Sequence, residues 1–309
     1  MSSARPVFAI VGVGGVGGYF GGCLARAGYD VRFLARGPHL DAIRRDGLSV
    51  TTPDGTFRVE VRASDDPAAL AAADVVFLCV KLWDTEAAAG SCRPLLGAET
   101  AVISLQNGIF AEGLLADVLG RERVMGGLAE VSASITAPGQ ITKIGPAQRI
   151  RFGELDGTPS PRAQRLAEHL STPGMEGVLE ADIRTALWTK FIFLTGLSAL
   201  TALTRRPIGD VRATPETRQL LQAVVGEAYA VGVASGVPLD GGLIASSMAR
   251  LDALPGEIRA SMALDLAAGR RLELPWLSGA VVDLGARHGI PTPANAFVVA
   301  ALKLHADGA

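Results

Sequence analysis

Cysteine, histidine and clustered charge are all scarce in this chain of 309 residues. The three cysteines, Cys23, Cys79 and Cys92, are too few and too scattered for a disulfide framework or a zinc site. The four histidines are widely separated, with no ligand-like spacing, so no metal site is expected. No run of Lys or Arg exceeds two residues and the formal net charge is −2, which argues against nucleic acid or an anionic membrane as the main partner. Long apolar runs are missing too. The uncharged stretch between Lys190 and Arg205 falls short of the ~18 residues of a membrane span and carries Thr195, Gly196, Ser198 and Thr201. Arg5 precedes an apolar stretch, but seven glycines between Gly12 and Gly22 make it a poor secretory signal. A soluble cytoplasmic protein is the expectation.

Apolar residues and glycine are plentiful. The chain is 49% apolar and 19% charged, with 37 glycines, which suits a sizeable core and excludes a disordered chain. "PVFAIVG", "YDVRFLARG", "DVVFLCVK" and "TAVISLQN" read as buried strands, each followed by a helical stretch. Strands alternating with helices imply a parallel, doubly wound sheet. "LSVTT-PDG-TFRVEV" is a hairpin signal, because Pro53-Asp54-Gly55 supplies turn chemistry between two strand-like runs. Beyond residue 125, "VMGGLAEVSASI", "GQITKIG" and "RIRFGEL" add further strands. From "EADIRTALW" onward the strands stop, and Pro207, Gly236-Val237-Pro238, Pro255-Gly256, Pro275 and Pro291 punctuate helices. The expected fold is an α/β Rossmann-type dinucleotide-binding domain over residues 1–180, then an all-α domain over 181–309.

Gly12-x-Gly14-x-x-Gly17 lies between a strand and a helix. The first glycine permits a tight turn, the second lets a pyrophosphate approach the backbone, and the third allows close helix–strand packing. The helix N-terminus then offers amide hydrogens to the phosphate. The second strand decides between dinucleotides. Its C-terminal end is Leu34-Ala35-Arg36, and Asp30 stands too far back to hold a ribose. Arg36 suits the additional phosphate of NADP. Lys81 and Asn107 each follow a strand and should emerge along the carboxyl edge of the sheet, where ligands bind.

These pieces resemble the ketopantoate reductase (2-dehydropantoate 2-reductase) family. The landmarks are "GVGGVG", "LARG", "VKLWDT", "LQNG", "LWTKF", "SMALDL" with "GRRLEL", and "HGIPTP", in that order over nearly the whole chain. The resemblance implies a Rossmann domain paired with a helical one and an active site between them. It also implies NADPH-dependent reduction of a 2-keto acid to the 2-hydroxy acid, as in pantothenate biosynthesis. It makes Lys190 the catalytic lysine, Glu273 the catalytic-site glutamate and Ser261 a substrate contact. Asn107 and Lys81 match positions near the nicotinamide ribose and the substrate. Alone, Lys190 reads as a lysine snorkelling from the end of a buried helix, and Glu273 as an ordinary first-turn acid. In the family's setting the pair is coherent: hydride addition builds negative charge on a ketone oxygen, which a partly desolvated lysine can stabilise and protonate.

The chain departs from the ketopantoate-specific pattern at three positions. Asparagines four and eight residues after the lysine are here Leu194 and Ser198, and one three residues before the serine is here Ile258. Two apolar side chains and a hydroxyl thus replace three amides, which implies a keto acid less polar than ketopantoate. Two alternatives remain: a two-domain dehydrogenase of a 3-hydroxy acid or opine, and a non-catalytic NADP-binding sensor. The partner is expected to be a small molecule, and the sequence is compatible with a homodimer.

Overall fold

The glycine-rich segment after the first strand forms a helix around which the sheet curls. The computed structural model describes residues 5–308, which divide into two compact units, one ending at Ile183 and the other beginning at Arg184. In the first, β1 (Phe8–Val11) leads into α1 (Gly15–Arg26), β2 (Val31–Leu34), α2 (Gly37–Asp46), and a hairpin of β3 (Leu48–Thr52) and β4 (Gly55–Val59). Next come β5 (Arg62–Ser64), β6 (Ala73–Leu78), α3 (Thr85–Ser91), β7 (Leu96–Ser104) and α4 (Ala111–Leu119). Two long strands, β8 (Val124–Ala137) and β9 (Gln140–Glu154), precede α5 (Pro161–Leu170) and the short β10 (Glu176–Leu179).

β5, β2, β1, β6, β7 and β8 lie side by side in that order, all parallel. This is the strand order of a Rossmann fold, with its topological switch point between β1 and β6. Successive strand residues feed opposite faces. Phe8, Ile10 and Phe77 pack with Tyr19, Phe20 and Leu24 of α1, while Ala9, Val11 and Leu78 pack with Ala89 of α3 and Leu115 of α4. Covering on both faces is why these strands read as unbroken apolar runs.

Beyond the parallel, doubly wound part the expected extra strands and hairpin join the same sheet, which becomes mixed. β9 runs antiparallel to β8, β3 pairs parallel with β9, and β4 closes the ten-stranded sheet antiparallel to β3. The hairpin is recognisable locally, but its partner lies some ninety residues further along the chain (Ser49 opposite Gln140), a pairing that local periodicity does not encode. "GQITKIG" and "RIRFGEL" are likewise one strand, β9, whose pairing with β8 shifts register between Val131 and Ser132.

The resulting half-barrel encloses α1, whose residues Gly17–Leu24 are all buried. Glycine makes this enclosure possible. A Cβ at Gly18 would stand 2.7 Å from Ile141 of β9, one at Gly21 2.3 Å from Phe33 of β2, and one at Gly22 2.9 Å from Val50 of β3.

The second unit is helical: α6 (Ile183–Thr204), α7 (Ile208–Ala213), α8 (Pro215–Ala234), α9 (Leu243–Ala253), α10 (Ser261–Ala267), α11 (Ser278–His288) and α12 (Pro293–Leu302). α6 is largely buried. Its backbone approaches α8 through a glycine on each helix: a Cβ at Gly196 would meet Val225 at 2.6 Å, and one at Gly232 would meet Trp188 at 2.9 Å. α6 is 22 residues long and apolar enough to span a membrane, longer than the uncharged run suggested. In the fold, 78% of its most apolar window is buried, as in the core helix of a soluble domain.

Candidate active site

In the first unit, four paired residues form one row across the sheet. Leu34 of β2 pairs with Val11 of β1, Val11 with Leu78 of β6, and Leu78 with Ser104 of β7. The ladder extends one residue further, through Gly12 N–H to Leu34 O, Cys79 N–H to Val11 O and Leu105 N–H to Leu78 O. The exit loops then carry Arg36, Gly14, Lys81 and Asn107, each two or three residues beyond the row. Residues scattered over some ninety positions, from Gly14 to Asn107, are thereby brought to one edge, at the switch point.

The three motif glycines have three different surroundings. Gly12 adopts φ +93°, and a Cβ there would lie 2.8 Å from the Val80 backbone nitrogen. At Gly17 a Cβ would lie 2.2 Å from Gly12 O, so the helix can approach the strand only without a side chain. A Cβ at Gly14 would meet nothing within 4 Å. Gly14 is also the N-cap of α1, with no side-chain cap hydrogen bond and no acid in the first turn. An open cradle at an electropositive helix start fits a dinucleotide pyrophosphate.

Arg36 is the N-cap residue of α2, and its side chain is 89% exposed, 3.7 Å from the carboxylate of Asp84. Asp30 is committed elsewhere: it pairs with Arg32, which also donates to Leu70 O and Ala72 O. Lys81 is half-buried, its ammonium 5.7 Å from the centre of the Trp83 ring. Asn107 is half-buried beside it in the row. Sequence reasoning passed over Gln106 and Thr85, which are buried and hydrogen-bonded to each other at 2.8 Å between the β6 and β7 exits. The available signal was a glutamine directly before Asn107, where a buried strand ends.

In the second unit Lys190 is half-buried and lies within α6, two turns from its start, so its expected place at a helix end is corrected. The helix begins at Ile183, ahead of the apolar run that draws the eye. Leu194 and Ser198 follow on the same face. Ser198 is 1% exposed and its Oγ makes no hydrogen bond, nor does that of buried Thr195. Glu273 is 3% exposed, on the residue capping the 3-10 turn Leu274–Trp276, and not the solvated first-turn acid that its neighbours suggest. Ile258 is half-buried and Ser261, at the start of α10, is exposed. Their segment is strapped to α6 and α7 by Ile208 N–H to Ile258 O at 2.9 Å and Ala260 N–H to Thr201 Oγ1 at 3.3 Å. Among the described residues no group of three or more His, Cys, Asp or Glu could hold a metal ion.

Residues 8–157 match the ketopantoate reductase PanE/ApbA family and residues 182–306 its C-terminal domain. The chain belongs to the ketopantoate reductase family. It is 33% identical to the 2-dehydropantoate 2-reductase of Halobacterium salinarum over 287 residues, covering 92% of this chain and 93% of that one. The crystal structure of a PanE/ApbA family ketopantoate reductase from Ralstonia eutropha superposes with a TM-score of 0.89 at 34% identity, covering 97% and 98% of the two chains. The fold also matches that of D-mandelate dehydrogenase solved with NADH and anilino(oxo)acetate, at TM-score 0.89 and 21% identity, covering 97% of each chain. As a member of the ketopantoate reductase family the chain is an oxidoreductase, with a mixed-sheet nucleotide-type domain and a helical C-terminal region.

Proposed function

We propose that this member of the family is a cytoplasmic NADPH-dependent reductase that converts a 2-keto acid with a largely apolar side chain into the 2-hydroxy acid. The observation that carries the reading is the row Leu34–Val11–Leu78–Ser104, whose exit loops set Arg36, open Gly14, Lys81 and Asn107 along one edge. Gly14 and the start of α1 take the pyrophosphate, Arg36 the 2′-phosphate, and Lys81 and Asn107 the ribose and the reacting end. The bound cofactor supplies a hydride.

Hydride addition to the keto carbon moves the carbonyl electron pair onto oxygen. The ammonium of Lys190 donates a hydrogen bond to that oxygen, stabilises the growing charge and transfers the proton that completes the alcohol. Glu273 orients the lysine and the hydroxyl that forms on the keto carbon. Ser261 contacts the substrate, while Leu194, Ser198 and Ile258 shape its side-chain pocket. With one hydroxyl where relatives specific for ketopantoate carry three amides, that pocket gives a hydroxylated side chain few partners, and an unpaired polar group costs ~1–3 kcal/mol.

The deciding experiment measures kcat/KM with NADPH for ketopantoate and for branched apolar 2-keto acids. A preference for the apolar acids is expected. A strong preference for ketopantoate would remove the substrate claim, and absence of turnover with any 2-keto acid would remove the reaction.

A further inference from the structure

We infer that Gln106 is a positioning residue, holding Lys81 and Asn107 in place at the sheet edge; the inference rests on the reading of that edge as the cofactor site. Gln106 is 7% exposed, and all of its side-chain polar atoms are used. Its Nε2 donates to Val80 O at 2.9 Å and to Thr85 Oγ1 at 2.8 Å, and its Oε1 accepts from Ser104 Oγ at 3.0 Å. Its own backbone N–H donates to the same serine oxygen at 3.2 Å. Thr85 Oγ1 in turn donates to Leu82 O at 2.8 Å.

Lys81 is therefore bracketed. The carbonyl before it is held by the Gln106 amide, and the carbonyl after it by the hydroxyl which that amide also holds. Asn107 is the next residue on the chain. One side chain thus fixes the β6 exit and the start of the β7 exit, the two loops that present Lys81 and Asn107. The chemistry requires glutamine. Both Nε2 hydrogens are donated while Oε1 accepts, whereas an ionised carboxylate has no donor and would face the Val80 carbonyl. A leucine of similar size would leave that half-buried carbonyl without its amide donor.

The test is titration of the full-length protein with NADPH, read by fluorescence. Gln106→Leu should weaken binding about tenfold, the scale of a displaced contact geometry, with an unchanged circular dichroism spectrum. Gln106→Glu should weaken it at pH 8 and regain affinity toward pH 5, relative to the wild type, as a protonated carboxyl donates to Val80 O. In a Lys81→Ala background the Gln106→Leu effect should shrink, because the two act through one contact. Wild-type affinity in Gln106→Leu, or full additivity with Lys81→Ala, overturns the inference. If Gln106→Leu does not fold, Thr85→Val decides: a few-fold loss of affinity supports the clamp and an unchanged affinity overturns it. Failure of the wild type itself to bind NADPH overturns the reading of the edge, and the clamp with it, a result distinct from any obtained with the variants.

Discussion

Ser198 lies two turns beyond Lys190 on one face of α6, and its buried hydroxyl makes no hydrogen bond. Three other hydroxyls on this helix find the ordinary outlet, the carbonyl four residues back: Thr189 to Thr185 O, Thr201 to Leu197 O and Thr204 to Leu200 O; buried Thr195, off the lysine's face, shares the exception. A buried polar atom left out of that pattern is an available contact for a ligand on the lysine's face. Leu194 between them offers none. Leu194→Asn combined with Ser198→Asn should raise kcat/KM for ketopantoate relative to a branched apolar 2-keto acid by at least about tenfold, since a net hydrogen bond contributes ~1 kcal/mol. An unchanged ratio, in a variant that still turns over, would show that neither position faces the substrate.

Lys190→Ala should lower kcat by about 10²–10⁴-fold, the usual range for loss of a positioned acid. NADPH affinity should stay within about twofold, because the proposed cofactor contacts belong to the other unit. Single-turnover kinetics with saturating NADPH separates the two effects. Wild-type turnover in this variant would take Lys190 out of the mechanism.

The central strands were legible because both faces are covered, so "VVFLCV" and "AVISL" carry no charged residue. The glycine loop was legible because each glycine has its own steric requirement. Lys190 was recognisable as the odd charge in an apolar run, yet its place inside α6 was not, since "IRTALWT" ahead of it is mixed in polarity. The pairing of β3 with β9 and the enclosure of α1 depend on contacts between distant segments. Gln106 was easy to pass over for a similar reason: a glutamine before a loop looks solvated until Val80 and Thr85 close around it, and its place directly before Asn107 was the one local signal. Glu227 was missed likewise, although its carboxylate accepts the amides of Ala294 and Asn295 at the start of α12.

Neighbouring Gly14 and Gly15 should separate function from folding. A Cβ at Gly14 meets nothing, and its φ of −81° suits any L residue. Gly14→Ala should therefore fold with a melting temperature near that of the wild type, while its methyl obstructs the pyrophosphate cradle and weakens NADPH binding about tenfold or more. At Gly15 a Cβ would lie 1.9 Å from the backbone oxygen of Ala133 in β8. Gly15→Ala should cost about 3 kcal/mol of stability, as overpacking against backbone does. Thermal melting and NADPH titration of both variants check the division; equal effects on binding and stability in both would refute it.

Arg36→Ala should raise KM for NADPH about tenfold to a hundredfold, the worth of a lost charged hydrogen bond of ~1.5–3 kcal/mol, and leave KM for NADH within about twofold. Stability should barely change, because the exposed pair with Asp84 is long at 3.7 Å and such pairs contribute ~0–1 kcal/mol. Equal losses with the two cofactors would mean that Arg36 does not read the 2′-phosphate.

Glu154, at the end of β9, makes the stability of the first unit depend on pH. Its carboxylate accepts from Arg162 at both oxygens, at 2.7 and 2.6 Å, and from Ser160 Oγ. Ser160 also caps α5 by accepting from Ala163 N–H at 3.1 Å. Burial pushes the Glu154 carboxyl upward, but the bonds from Arg162 and Ser160 together outweigh it and hold the group below its ordinary value of 4.5. A depressed carboxyl contributes stability that is fully present above the unfolded-state value and is lost as pH falls through the folded one. Glu154→Gln should therefore lose about 2 kcal/mol at pH 7, in the range for hydrogen bonds to charged groups. The deficit relative to wild type should narrow below pH 4.5, where the unfolded wild type begins to take up the proton that the folded one resists. Thermal melting of both proteins at stepped pH reads this directly. A deficit as large at pH 3 as at pH 7 would assign the loss to altered packing instead of the charged pair.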